Sequence, residues 1–476
     1  MRYLRLALLC LFSLTLVHAQ DESVWASKKS GWQLISNEQH GQVTAFAENF
    51  KSYIDVARSA LTSTTEIAKQ ARAAGFTDFK DASQVKPGAR LFTIAHDRAI
   101  LLIVVGNQPV IEGSHVVGTH HDSPHIDLKP RPVVNRYGFA LLKTMPYGGI
   151  KRYQWANLPL ALVGRVNTED GRVVDVNLGL HPGDPFLVIP DNAPHSDRPL
   201  RSRTYTEVFS GEELNPVIGS TSGNTGSVAA QALQLLTSTY KIKEEDLVSS
   251  ELALVPATHP NDVGIDHALV GGYGQDDRLS SFCAARAVID LKGTPASTAI
   301  AFLSNYEETG SGNNTGAASE LLDTTYAQLI AAQRAGRYTD LDLRTGLRNA
   351  IVISADVNDG INPIFGDLTA ESSNAARLGY GPAIKIYGGD FNPNSELTAR
   401  IRGIFDRNQI PWQTQTQRVD VGGGGTIGGF MSAKEMQVID VGVPLLSMHS
   451  TYEMSSKVDL WNFYRFMSAF YQWDGK

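Results

Sequence analysis

Val116-Val117-Gly118-Thr119-His120-His121-Asp122-Ser123-Pro124 is the stretch on which the reading of this chain turns: a β-branched apolar run that ends abruptly in His-x-Asp and a proline. A His-x-Asp alone is usually a loop or a satisfied core histidine. Working outward, the same arrangement recurs. Ile300-Ala301-Phe302-Leu303 leads to Glu307 and Glu308, Ile351-Val352-Ile353-Ser354-Ala355 to Asp356, and Val443-Pro444-Leu445-Leu446-Ser447-Met448 to His449. A fifth acidic site, Asp276-Asp277, follows a glycine-rich loop and precedes a helical pattern. Ligands of open α/β sheets bind beyond the carboxyl ends of the strands. Charged groups at four such ends converge on one crevice, where unpaired they would repel. A pair of divalent cations resolves that repulsion, because imidazole nitrogen and carboxylate oxygen are zinc donors and one bridging carboxylate can hold two metals about 3.5–4 Å apart.

Around these strands the chain divides by texture. Trp32 to Ala73 has helical spacing and no proline, which predicts two helices. Leu91–Ala95 and Ala99–Val105 read as strands, and from Asp276 onward β runs alternate with helical patterns, the signature of βαβ units and a mostly parallel sheet. Residues 127–267 are rich in Pro, Asn and Gly, with short β runs such as Leu160–Val166 and one helical stretch near Ala229–Leu236. The expectation is an α/β protein: a three-layer α/β/α catalytic domain from residues 20–126 and 268–476, with a β-rich domain, 127–267, inserted in it. With 476 residues, 42% of them hydrophobic, the chain can bury a core of that size.

Residues 1–19 read as a signal peptide: Arg2 and Arg5, the short apolar run Leu6–Val17, then Val17-His18-Ala19 as a cleavage site. The expected location is secreted or periplasmic, with no membrane attachment after cleavage. Two arginines leave with the signal, taking the formal charge from −7 to −9. With no long basic run, no nucleic-acid partner is expected. Cys10 leaves too, so Cys283 has no partner for an intrachain disulfide and reads as a small core residue. Gly422–Gly425 lacks a Walker lysine and dinucleotide spacing, and is a loop.

Nearly all of the mature chain resembles the aspartyl aminopeptidase family, within the wider clan of co-catalytic zinc exopeptidases. The resemblance rests on Gly118–Pro124, Tyr147-Gly148-Gly149, Gly164-Arg165-Val166, Asp276-Asp277-Arg278-Leu279, Glu307-Glu308-Thr309-Gly310-Ser311, Ser354-Ala355-Asp356, Gly425-Thr426-Ile427-Gly428 and Met448-His449-Ser450 with Glu453-Met454. It implies two divalent metal ions per subunit, zinc by preference, held by His120, Asp276, Glu308, Asp356 and His449, with Asp276 bridging. Glu307 would be the general base, and Asp122 would hydrogen-bond the ring of His120. It implies peptide substrates cut at the N-terminus, the insert as a dimerisation domain, and a homo-oligomer from dimer to dodecamer. Lys385 matches a family lysine near substrate, and His195 a family histidine that reaches a neighbouring subunit's active site. The chain departs from the family at Asp359 and Asn362, where two histidines are usual, at Trp155-Ala156-Asn157-Leu158, and at His121 in place of threonine. These departures are expected near the substrate, so preference for acidic residues is not carried over and Asp359 joins the substrate-binding candidates. Two rivals stand beside this reading: another dizinc hydrolase of the clan, a carboxypeptidase or deacylase, and a scaffold that kept the fold without ligands or base.

Overall fold

The computed structural model describes residues 29–366, 374–387, 391–416, 418 and 424–475. The expected signal peptide, Cys10 and part of the Gly422–Gly425 loop lie outside them. A nine-stranded sheet forms the middle of the molecule: β1 (Thr77–Asp78), β2 (Arg90–Ala95), β3 (Ala99–Val104), β4 (Ser114–His120), β5 (Thr298–Ser304), β6 (Ile351–Ala355), β7 (Ala383–Lys385), β8 (Gln413–Gln415) and β9 (Gln437–Gly442). Across the sheet the order is β1-β2-β3-β5-β4-β6-β9-β7-β8. The central four, β5, β4, β6 and β9, are parallel. β3 runs antiparallel to β5, and β7 antiparallel to β9.

Both faces of these strands are buried, and the two-residue side-chain period sorts them into two layers. Ile100, Leu102 and Val104 of β3, Val117 of β4 and Leu303 of β5 enter one apolar cluster with Phe50, Ile67, Phe282, Ile404 and Phe466. Those five belong to helices Asn37–Val56, Ala60–Ala73, Gln275–Ile289, Ser395–Arg407 and Lys457–Gln472. Leu101, Ile103, Val116 and Phe302 enter the other cluster, with Tyr326, Leu329 and Leu347 from helices Leu321–Gln333 and Asp340–Arg348. The result is the three-layer α/β/α architecture. The two helices expected in Trp32–Ala73 are present, each opened by a serine: Ser36 Oγ accepts from Gln39 N and Ser59 Oγ from Thr62 N. Cys283 is free and buried in the third helix of that layer.

Between β4 and β5 the chain builds a six-stranded antiparallel sheet from Val173–Leu178, Leu160–Asn167, Ser250–Pro256, His125–Arg136, Phe139–Tyr147 and Val217–Gly219, in that spatial order. Helix Val228–Tyr240 packs on it through Leu233, Leu236 and Tyr240, and Trp155 is fully buried in this second core. A third, five-stranded sheet joins Asn261–Val263 and Leu269–Gly272 to Glu453–Ser456, Pro444–Leu446 and Asn358–Asp359. Pairing across nearly 200 residues thus draws 261–263 to the catalytic side of the expected boundary at 267, and the insert's own sheet ends at Pro256. Among the described residues, no helix is long and apolar enough to cross a membrane.

Candidate metal centre

The parallel strands end side by side, and each ending carries a charge. His120 is the last residue of β4, Glu307 and Glu308 follow β5, and Asp356 follows β6 directly. After β9 the chain crosses so close to β6 that a Cβ on Gly442 would lie 1.6 Å from the Asp356 carbonyl oxygen, which is why glycine stands there. It then turns through Ser447 and His449, both at positive φ (61° and 62°), to present the His449 ring. Asp276 and Asp277 begin helix Gln275–Ile289 with non-helical dihedrals and a cis peptide between them.

The side chains form two groups that share one residue. His120, Asp276 and Asp356 offer ligand atoms within 4.8 Å of one another, and so do Asp276, Glu308 and His449. His120 Nε2 lies 3.4 Å from Asp276 Oδ1, 3.7 Å from Asp356 Oδ1 and 3.9 Å from Glu307 Oε2. His449 Nε2 lies 3.2 Å from Asp276 Oδ2 and 3.4 Å from Glu308 Oε2. The two oxygens of Asp276 thus face different groups.

The charge balance is lopsided. Burial, then Asp356, Asp276 and Asp122, push Glu307 up to about 7, while His120 pulls the other way. Burial and Asp276 hold Glu308 well above the usual carboxylate range. Burial opposes charge on His449, yet Asp276 and Glu308 raise it to about 10. Asp276 Oδ1, Asp277 Oδ1 and Glu308 Oε1 are buried with no hydrogen-bond partner among the described residues. Each buried orphan of this kind costs about 1–3 kcal/mol, and more for a charged group. Divalent cations fit this donor set: they would satisfy the orphaned oxygens of Asp276 and Glu308 and neutralise the excess negative charge.

Asp122 is buried beneath the cluster and tied to it from several sides. Its Oδ1 accepts from Glu307 N and its Oδ2 from Glu308 N, both at 3.1 Å, and Oδ2 accepts also from the Tyr147 hydroxyl at 2.7 Å. His120 Nδ1 lies 3.4 Å from Asp122 Oδ1 and 3.2 Å from its carbonyl oxygen. Burial works against its charge, but His120 and these donors hold its pKa at about 2. Three further contributors read in the sequence only as motif residues, with no role assigned at the centre. Glu453 accepts from His449 N at 2.9 Å and from Asp276 N at 3.1 Å, fixing both backbones. Tyr147 and the Gly149 carbonyl, which His449 Nδ1 meets at 2.9 Å, come from the insert. Glu453 was detectable by its four-residue spacing from His449, whereas the other two depend on how the insert docks.

The centre lines a cavity of about 410 Å³ that also includes Lys385, Asp359, Phe430 and Met448. Both substrate-binding candidates on the catalytic side therefore lie at it. The other departures do not. His121 is turned into the core, its Nδ1 3.0 Å from Ser63 Oγ and its Nε2 2.7 Å from the Arg98 carbonyl oxygen. Asn362 Oδ1 closes its own turn by accepting from Ile364 N and Phe365 N. Asn157 Oδ1 accepts from Asp191 N within the insert. All three are held by local hydrogen bonds, and none is among the residues that line this cavity. His195 is exposed and does not line the cavity of its own chain.

Residues 53–471 match the family model described as aminopeptidase I zinc metalloprotease (M18). A probable M18 family aminopeptidase 1 of Borrelia garinii subsp. bavariensis is 37% identical over 456 residues, covering 94% of this chain and 99% of that protein. The crystal structure of an M18 family aminopeptidase from Thermotoga maritima superimposes with a TM-score of 0.88 at 33% identity, over 94% of this chain and 99% of that one. The S. cerevisiae mApe1 dodecamer shares the fold, with a TM-score of 0.72 at 22% identity over 89% and 95% of the two chains.

Proposed function

The chain belongs to the aminopeptidase I zinc metalloprotease (M18) family and is a metallo-aminopeptidase; we propose that it works with two divalent ions, zinc by preference, one held by His120, Asp276 and Asp356 and the other by Asp276, Glu308 and His449. The observation that carries this reading is the shared Asp276, whose two oxygens face the two groups. The relatives do not favour a carboxypeptidase, a deacylase or a scaffold. Bound there, the ions would acidify water and polarise the scissile carbonyl.

Glu307 is the general base. Its carboxylate borders the cavity but belongs to neither ligand group, so it is placed to take a proton from water and return it to the leaving amine. Asp122 holds the Glu307 and Glu308 main chains and steadies the His120 ring, so base and ligands keep one register. Lys385 and Asp359 bring opposite charges to the cavity. Asp359 opposes an acidic N-terminal side chain, so the enzyme cleaves neutral or basic N-terminal residues at rates comparable to or above acidic ones. The exposed loop carrying His195 reaches a neighbouring subunit's centre in a homo-oligomer of up to twelve chains, with the insert making the dimer contact. The basic, then apolar, segment 1–19 directs the chain to a secreted or periplasmic location.

The test is metal stoichiometry with activity. Wild-type protein should carry two ions per chain. Prolonged chelation should abolish hydrolysis, and zinc, cobalt or manganese should restore it. Full activity in rigorously metal-free protein overturns the reading. On a panel of Asp, Glu, Leu, Ala and Lys substrates, a preference for Asp and Glu above about tenfold, roughly 1.4 kcal/mol in the transition state, removes the role given to Asp359.

A further inference from the structure

The inserted domain touches the metal centre through one turn. Strand Phe139–Tyr147 ends in Tyr147-Gly148-Gly149. The Tyr147 hydroxyl donates to Asp122 Oδ2 at 2.7 Å and lies 3.4 Å from the Thr309 carbonyl oxygen. Two residues on, the Gly149 carbonyl accepts from His449 Nδ1 at 2.9 Å. The turn is firmly seated. The Tyr147 ring stacks on His125 with centroids 4.3 Å apart, and a Cβ on Gly148, which sits at φ +72°, would come within 3.2 Å of Pro124. Neither Tyr147 nor Gly149 is among the residues that line the cavity of the centre.

Resting on the two-ion reading above, we propose that Tyr147–Gly149 is the positioning element of this centre, through which the inserted domain sets the geometry of both ligand groups. On one side Tyr147 fixes the rotamer of Asp122, and Asp122 in turn holds the His120 ring and the backbone amides of Glu307 and Glu308. On the other, the Gly149 carbonyl requires the proton of neutral His449 to sit on Nδ1. That leaves the Nε2 lone pair facing Asp276 and Glu308, the tautomer a metal ligand needs. The hydroxyl and the carbonyl lie on one short rigid segment, so a shift of the insert against the catalytic domain moves both supports together. Retention of metal and docking of the insert are then one equilibrium.

Two variants of the full chain separate this from a merely structural role. Tyr147→Phe keeps the ring and its stack and removes only the hydroxyl. Gly149→Ala keeps the carbonyl and adds a Cβ at ordinary contact distance, 3.4 Å from His449 Nδ1, so it serves as the control that leaves both supports in place. The measurements are zinc affinity by competition with a chromogenic chelator, kcat and KM on one Leu substrate, and the melting temperature of chelator-treated protein. Tyr147→Phe should lower zinc affinity or kcat by about 10–100-fold, the usual weight of a group that orients a metal ligand. KM should stay within about twofold, and the metal-free melting temperature should match wild type. Gly149→Ala, which retains the carbonyl, should keep both ions and kcat within about twofold of wild type; a loss as large as that of Tyr147→Phe would show that the turn responds to any change and would overturn the assignment to the hydroxyl. Wild-type affinity and kcat in Tyr147→Phe would overturn the proposal, and so would a loss explained by a lower metal-free melting temperature. Fewer than two ions in wild-type protein would instead fault the two-ion reading, and Tyr147→Phe would still be judged on the ion that remains.

Discussion

β4 carries a histidine near each end, and the two are equally dry. His115, at the entry, is 4% exposed, and His120, at the exit, 1%. His115 lies against Phe470 and Trp473, its Nδ1 has no hydrogen-bond partner among the described residues, and burial pushes its pKa down to about 4. Burial opposes charge on His120 as well, yet Glu307, Asp122, Asp276 and Asp356 together draw its pKa well above the ordinary value. Residue type, strand and burial are held constant, so the difference lies in what surrounds each ring. A parallel sheet buries both ends of its strands but furnishes only the carboxyl ends with charge, and that furnishing distinguishes a functional histidine from a packed one.

The comparison is tested hardest at the charged end. Glu307→Gln should cut kcat by about 10²–10⁴, the span of a general-base contribution, while metal content stays near that of wild type. Glu308→Gln should lower metal content. If the two variants exchange phenotypes in a metal-analysis and steady-state experiment, base and ligand have been assigned the wrong way round. At the apolar end the effect should be on stability alone. An unfolded chain protonates His115 below about pH 6.5, whereas the folded chain refuses the proton until about pH 4. The stability that neutral His115 contributes is therefore complete above pH 6.5 and is lost as pH falls from there towards 4. It amounts to roughly 3 kcal/mol in all, at 1.36 kcal/mol per pKa unit. His115→Phe should flatten that part of the acid slope in denaturant titrations at pH 7, 6 and 5 and leave kcat unchanged; an unaltered slope would show that His115 is not its source.

The smallest effect is expected beside the centre. Asp277 is fully buried, belongs to neither ligand group, and its Oδ2 accepts a long 3.4 Å contact from His120 N. Burial, then Asp356 and Asp276, press it towards the neutral acid. Asparagine mimics that form, so Asp277→Asn should keep kcat within about threefold, below the tenfold that 1.36 kcal/mol represents. A loss comparable to that of Asp276→Asn would place Asp277 among the ligands.

The residues that could be read from sequence are those whose meaning is local. His120, Glu307, Glu308, Asp356 and His449 each follow an apolar run, and the run itself points at them. The sorting of β3 into alternate layers is equally a property of six consecutive residues. What escaped depends on distant chain. The pairing of Leu269–Gly272 with Glu453–Ser456, which carries the adjoining Asn261–Val263 into the same sheet, spans nearly 200 residues. His121 sits one position from a ligand candidate, and only the placement of Ser63 and Arg98 decides that it faces the core. Tyr147 matters because its strand happens to end over Asp122. Gly149 contributes a backbone oxygen, which no side-chain pattern can announce.

The centre draws on strands that are neighbours in space and far apart in sequence: β4 pairs with β5 on one side and β6 on the other, and β9 lies beyond. Its groups therefore arrive in the order His120, Asp276, Glu307, Glu308, Asp356, His449, with about 330 residues between first and last. At roughly 5–20 residues per second, translation of that interval takes on the order of fifteen seconds to a minute. Throughout it the growing chain carries His120 with an incomplete set of partners. On the two-ion proposal, a centre so distributed keeps time: both ligand groups would be complete only when His449 has been made and folded into place.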